Sequence, residues 1–267
     1  MREGSVFERE LSVALAAAEK AATILLERSG ADQVREKGRA DLVTVVDEAA
    51  ERAIVEFIRD AFPDDLVIAE ESSGPERPTD GRRWIVDPLD GTVNYVHGHP
   101  FSCVSIGFVD DDGPAVGVIN APFLGEVYEA TRGGGARLNG AAIRVSTVSE
   151  PSAALLATGF PFKPGKGDPA EYLRMVGAMM GTTHGVRRAG AAALDLAYVA
   201  AGRVEGFFEI GLSPWDVAAG IVLVSEAGGT VTGWPREVAS ALESGRIVAS
   251  NGSLHPWLEG VLGRYRV

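Results

Sequence analysis

The chain has 267 residues, 46% of them hydrophobic, which is enough to bury a large core in one compact unit or two closely packed halves and too apolar for general disorder. Thirty-seven acidic residues against 25 basic ones leave a formal charge of −12, which opposes nonspecific attraction to nucleic acid, to an anionic membrane and to any phosphorylated small molecule. The single cysteine, Cys103, excludes an intramolecular disulfide, and its neighbours Phe101 and Val104 suggest a buried strand thiol.

Residues 7–29 read as an Ala-rich amphipathic helix. Its Glu10, Glu19 and Lys20 fit neither a signal peptide nor a membrane span, so a cytoplasmic protein is expected. A second helix over 45–61 carries Ile54, Phe57, Ile58 and Ala61 on one face, and Pro63-Asp64-Asp65 ends it. Short apolar runs at 66–69, 84–87, 101–109, 115–120 and 126–131, parted by Gly, Pro and Asp turns, predict a mostly antiparallel sheet. Gly133-Gly134-Gly135 lacks the Lys and Ser/Thr of a phosphate-binding P-loop and no helix follows it, so it reads as a hairpin turn.

After about residue 145 the pattern changes. A strand at 155–158, helices at 169–180 and 191–201, a strand at 204–209 and a capped helix at 214–227 precede a last strand and helix, and residues 160–167 read as a surface loop. The division predicts an α+β half over 1–145 and an α/β half over 146–267, with helices stacked on two sheets.

One stretch concentrates chemistry: Trp84-Ile85-Val86-Asp87-Pro88-Leu89-Asp90-Gly91-Thr92. Pro88 cannot donate a ladder hydrogen bond and Gly91 frees the backbone, so the strand is expected to stop here with both carboxylates at its carboxyl end. Asp90-Gly91-Thr92 then opens a short helix or turn whose unpaired N–H groups can face an anion. Upstream stand Lys37, Thr44-Val45-Val46-Asp47 and Val67-Ile68-Ala69-Glu70-Glu71, and downstream Ser213-Pro214-Trp215-Asp216 and Glu226-Ala227-Gly228-Gly229. Thr44-x-x-Asp47 and Ser213-x-x-Asp216 both have capping-box spacing, with Asp for the usual Glu, and capping alone would account for either. Adjacent Glu70 and Glu71 point to opposite faces of a strand, so only one can enter a given site. His97, His99, His184 and His255 have no metal-ligand spacing, and oxygen-only ligands suit Mg²⁺ or Mn²⁺ better than Zn²⁺.

In this order, from about Leu11 to Gly252, these segments resemble the inositol monophosphatase family of magnesium-dependent phosphatases, and Asn94 to Phe101 with Val104-Ser105-Ile106-Gly107 resemble its inositol phosphate branch. The resemblance implies the layered αβαβα sandwich of the inositol monophosphatase and fructose-1,6-bisphosphatase type, an α/β (α+β) fold with mixed, largely antiparallel sheets. It implies two or three Mg²⁺ per site: one held by Glu70, Asp87 and the Leu89 carbonyl, and a second by Asp87, Asp90 and Asp216. It implies inhibition by Li⁺.

The expected mechanism is in-line attack of a metal-activated water on a phosphate monoester without a covalent intermediate. Thr92 with Asp47 or Glu70 would orient that water and accept its proton, and the Gly91 and Thr92 N–H groups would bind phosphoryl oxygens. Lys37 is a further candidate for a positive charge there. Asp90, Asp216, Arg187, Gly190, Ala191, Ala192 and Glu209 resemble the inositol-contacting segments. Ala191 stands where many relatives have Thr or Ser, which removes a hydroxyl and leaves fructose 1,6-bisphosphate, other polyol phosphates and NADP as competing substrates. Resemblance further implies a homodimer, without direct nucleic-acid or membrane binding. A different role stays open: some bacterial members are associated with transcription complexes and ribosomal RNA maturation, which would make the chain an accessory acting by protein binding.

Overall fold

The computed structural model describes residues 6–27, 34–38, 41–72, 81–161, 167–234 and 240–265, with backbone alone for 34–38 and 41–43. The Lys37 side chain and most of the expected 160–167 loop lie outside the described residues.

The first half runs α1 (Glu8–Glu27), β1 (Val34–Gly38), β2 (Asp41–Thr44), α2 (Val45–Ala61), β3 (Leu66–Ala69), β4 (Arg83–Asp90), α3 (Thr92–Val96), β5 (Cys103–Asp110), β6 (Gly113–Ala121), β7 (Glu126–Thr131), β8 (Gly135–Leu138) and β9 (Ala141–Ala142). The second runs β10 (Leu155–Thr158), α4 (Pro169–Met180), β11 (Gly185–Arg187), α5 (Ala192–Ala200), β12 (Gly206–Ile210), α6 (Pro214–Glu226), β13 (Thr230–Gly233), β14 (Arg246–Ser250) and α7 (His255–Leu262). Strands β3 to β9 form one sheet in sequence order, parallel at β3–β4 and antiparallel elsewhere. The second sheet has the order β11-β10-β12-β14-β13, with β10 parallel to both neighbours.

Period-two alternation stacks the layers. On the first sheet Trp84, Val86, Ile106, Phe108 and Val118 pack on one face against Ala14, Ala18 and Ala21 of α1 and Ala50, Ile54 and Ile58 of α2. Ile85, Cys103 and Ile119 of the opposite face join Leu196 and Val199 of α5 and Val217, Val222 and Leu223 of α6. The same two helices cover Phe207, Ile247 and Ala249 of the second sheet, whose other face carries Leu156, Phe208 and Val248 against α4 and α7. The five-layer αβαβα order follows. No helix among the described residues is long and apolar enough to cross a membrane.

Two glycines bring α6 close. Gly107 and Gly117 are direct partners on β5 and β6, and a Cβ on them would meet Ala218 Cβ at 2.6 Å and Ala219 O at 2.3 Å. Only a bare backbone allows the helix to lie this low on the sheet.

One expectation needs correction. Strand β4 does not stop at Pro88 but runs on to Asp90, with a break in register between Asp87 and Asp90. Pro88 sits inside that bulge, where a missing N–H costs no regular ladder bond. The β1–β2 hairpin and the short strands β9, β11 and β13 were not legible, because they are brief or polar and present no apolar run.

Candidate metal centre

The bulge decides where the carboxylates point. Residues three apart on a regular strand face opposite sides. Here Asp87 pairs with Ser105 and Asp90 with Cys103, so three steps on β4 match two on β5, and Asp87 and Asp90 share the face that looks toward α6. Asp216 enters from the third position of α6, where its Oδ2 accepts the Ser213 N–H at 2.6 Å. Carboxylate oxygens of Asp87, Asp90 and Asp216 then lie within 4.8 Å of one another, the one such acid, His or Cys group of three among the described residues.

Three like charges so close are costly without a cation. Asp87 is 1% exposed, and burial, then Glu70, Asp90 and Asp216, push its carboxyl well above the usual carboxylate range. Burial and then Asp216 push Asp90 up to about 8. Opposing contacts come from backbone: the Leu89 N–H donates to Asp87 Oδ1 at 2.9 Å and the Ala193 N–H to Asp90 Oδ2 at 2.7 Å. Cys103 Sγ is 4.0 Å from Asp90 Oδ2, but burial pushes its thiol up, so it stays protonated and is no thiolate ligand. The donor set is therefore hard oxygen, with Asp87 buried and Asp90 and Asp216 half-buried, which fits Mg²⁺ or Mn²⁺.

Glu70 joins from β3. Its N–H donates to Val86 O at 3.1 Å, one step beyond the Ala69–Val86 pair, which sets it beside Asp87, where its charge acts. The Glu71 N–H donates to Glu51 Oε2 at 2.7 Å.

A second group flanks the trio. Asp47, 1% exposed, accepts the Thr44 N–H at 2.9 Å on Oδ2 and closes the capping box of α2. Its Oδ1 lies 3.2 Å from Thr92 Oγ1, whose hydroxyl is also 3.1 Å from the Leu89 carbonyl oxygen. Burial raises the Asp47 carboxyl above its ordinary value, partly offset by hydrogen bonds from Thr44 and Thr92. Gly91, at φ +88°, turns the chain into α3, and a Cβ there would meet Phe101 O at 3.0 Å. The Gly91 N–H acts on the Asp90 carboxylate.

The second half supplies the far wall. The Ala191 side chain is 1% exposed and packs toward Gly91, so the residue caps α5 with no side-chain acceptor, and Asp90 takes the N–H of Ala193 instead. Gly190 makes the preceding turn at φ +93°. Asn94 ties this turn to α3, donating to Phe101 O at 2.6 Å and Ala189 O at 2.9 Å. Both adjacent arginines are exposed; Arg187 ends the edge strand β11, and the charge of Arg188 acts on Asp195 and Glu209 while its guanidinium lies over Phe160. Burial raises Asp195 and Glu209 well above the carboxylate range, helped at Asp195 by Asp90 and at Glu209 by Asp195, Asp216 and Asp90. The Glu209 carboxylate fills the space over Gly159, where any Cβ would collide with it. Asp195 and Gly159 escaped the sequence reading, and Arg188 and Asn94 lay in the matched segments without a role assigned to them; only the glycine directly after a strand hinted at a close approach.

Comparison with known proteins agrees with this geometry. The family model described as the inositol monophosphatase family matches residues 8–264. The chain is 45% identical to the Nus factor SuhB of Escherichia coli strain K12, over 90% of this chain and 91% of that protein. It is 45% identical to an inositol-1-monophosphatase of Synechocystis, over 86% and 80% respectively. The inositol monophosphatase structure from Anabaena superposes with a TM-score of 0.86 at 39% identity, covering 98% of both chains.

Proposed function

This chain belongs to the inositol monophosphatase family, and we propose that it is a Mg²⁺-dependent phosphatase that hydrolyses inositol 1-phosphate or a closely related polyol phosphate. The observation that carries this reading is the Asp87–Asp90–Asp216 trio set beside the Thr92–Asp47 pair. Glu70, Asp87 and the Leu89 carbonyl would hold one cation and Asp87, Asp90 and Asp216 a second. Once bound, they supply charge neutralisation for the phosphate and acidify a coordinated water.

The chain's own groups do the rest. Asp47 fixes the Thr92 hydroxyl through its Oδ1, leaving the Thr92 oxygen lone pairs turned to accept from an attacking water. The raised Asp47 carboxyl, with Glu70 as alternative, is basic enough to take up the proton that reaches it through Thr92. The Thr92 N–H binds a phosphoryl oxygen. Glu209, seated over Gly159 and faced by Arg188, recognises ring hydroxyls together with the backbone of residues 190–192. The buried Ala191 methyl offers the ligand nothing but backbone, which supports tolerance of other polyol esters such as fructose 1,6-bisphosphate. Family membership supports a homodimer and sensitivity to Li⁺.

Phosphate release from a panel of inositol 1-phosphate enantiomers, fructose 1,6-bisphosphate, 2′-AMP and NADP, with and without Mg²⁺ and beside Asp87→Asn, tests the reading. Mg²⁺-dependent turnover lost in the variant is expected, and a folded, Mg²⁺-loaded protein silent on every ester would overturn it. A second reading, an accessory role in transcription through protein contacts, is favoured by one observation: the 45% identical relative named a Nus factor. Capture of transcription proteins by the Asp87→Asn variant as well as by the natural chain is its expected mark.

A further inference from the structure

Asp216 comes from a different half of the chain than Asp87 and Asp90, so something must set how far α6 stands from β4 and β5. Three residues on one face of the first sheet do this. Gly107 and Gly117, direct partners, form the bare floor on which Ala218 and Ala219 rest. Ser105, two residues before Gly107 on β5, points to the same face. It is fully buried, and its hydroxyl donates to the main-chain oxygen of Trp215 at 3.2 Å. Ser105 is also the register partner of Asp87. One hydrogen bond thus joins the residue directly across from Asp87 to the residue directly before Asp216.

We propose that Ser105 is a positioning residue for the cation site: its bond to Trp215, acting with the Gly107–Gly117 floor, sets the spacing of Asp216 from Asp87. The proposal rests on the metal-dependent reading above. Ser105 touches neither substrate nor cation. It acts through the first turn of α6; the capping bond there, donated by the Ser213 N–H to Asp216, lies within the helix end and does not locate it relative to the sheet. A buried hydroxyl has no water to exchange for its partner, so losing it releases that turn instead of substituting one contact for another.

The test is Mg²⁺ binding to the Ser105→Ala protein, followed by calorimetric titration and by the Mg²⁺-dependent rise in melting temperature. Removing one oxygen adds no bulk, so the variant is expected to fold, which its metal-free melting curve checks. A roughly five- to tenfold weaker Mg²⁺ dissociation constant is expected, as for loss of one buried hydrogen bond. At saturating Mg²⁺ the expected kcat is close to that of the natural chain. Gly107→Ala, which drives a methyl into Ala218, is expected to weaken Mg²⁺ in the same direction. Unchanged Mg²⁺ affinity in Ser105→Ala, with only a lower metal-free melting temperature, would overturn the proposal and leave the hydroxyl a structural contact. Absence of any Mg²⁺-dependent stabilisation in the natural chain would instead sink the metal-dependent reading, so the two failures are told apart by the unsubstituted protein.

Discussion

Two helices of this protein begin with the same device and end in different chemistry. Thr44-x-x-Asp47 opens α2 and Ser213-x-x-Asp216 opens α6, and in each the aspartate at the third helical position accepts the N–H of its cap residue, at 2.9 and 2.6 Å. Asp47 has spent both oxygens, Oδ2 on Thr44 and Oδ1 on the Thr92 hydroxyl. Asp216 caps as well but faces Asp87 and Asp90, whose charges repel it. A capping carboxylate is a rigidly aimed carboxylate, and what stands opposite decides whether it meets a hydroxyl or other carboxylates.

The largest break in that comparison is Asp216→Asn. The amide oxygen can still cap, but the charge is gone, and turnover is expected to fall on the order of 10³-fold, as for loss of several kcal/mol of electrostatic stabilisation. The same substitution relieves repulsion in the trio, so the metal-free protein is expected to melt higher than the natural chain. A lower melting temperature would mean that the cap, not the charge, is the residue's main contribution.

Asp47→Asn is expected to cost less, on the order of 10² in kcat, with Mg²⁺ affinity retained. Titration calorimetry checks the second half of that statement. Equal loss of Mg²⁺ binding in both variants would erase the distinction between the two helices.

The trio also dictates a pH dependence. Asp90 is pushed up to about 8 and Asp87 well above its ordinary value, whereas an unfolded aspartate titrates near about 3.9. Between those values the folded state holds more protons than the unfolded one, so metal-free stability falls as pH rises from about 4 to about 8. Differential scanning at pH 5 and pH 8 is expected to show this decline without Mg²⁺ and a larger Mg²⁺-induced stabilisation at pH 8. A flat metal-free profile would mean that another group already neutralises the trio.

The smallest effect is Thr44→Ala, which removes the cap of α2 and one donor to Asp47; a loss of about 1 kcal/mol in urea unfolding is expected. Its activity should fall far less than that of Asp47→Asn, because the Thr92 contact of Oδ1 survives.

Much of this was legible in the chain. The ends of α2, β3, β7, β10 and α4 follow from apolar periodicity and from caps and breakers at the expected positions. Asp87, Asp90, Asp216, Glu70, Asp47 and Thr92 were named from the family resemblance; the structure brings the Asp87, Asp90 and Asp216 carboxylates together, sets the Glu70 charge on Asp87 and joins Thr92 to Asp47. Asp87 and Asp90 were legible as a pair, but not the bulge that sends both to one face, because a bulge is a relation between two strands and Pro88 alone reads as a stop. Arg188 against Glu209, Gly159 under Glu209, and Ser105 against Trp215 carry no local signature, since each meets a partner on another element, between about 20 and 110 positions away.

The sequence by itself determined the helices and the longer apolar strands, which carboxylates are available, and the net negative charge of the chain; these depend on local propensity, periodicity and composition. The tertiary structure alone decided which carboxylates converge, because convergence requires the bulge parity of β4, the glycine floor under α6 and the docking of the α5 N-terminus on Asp90, and each of these is set by contacts between segments distant in the chain.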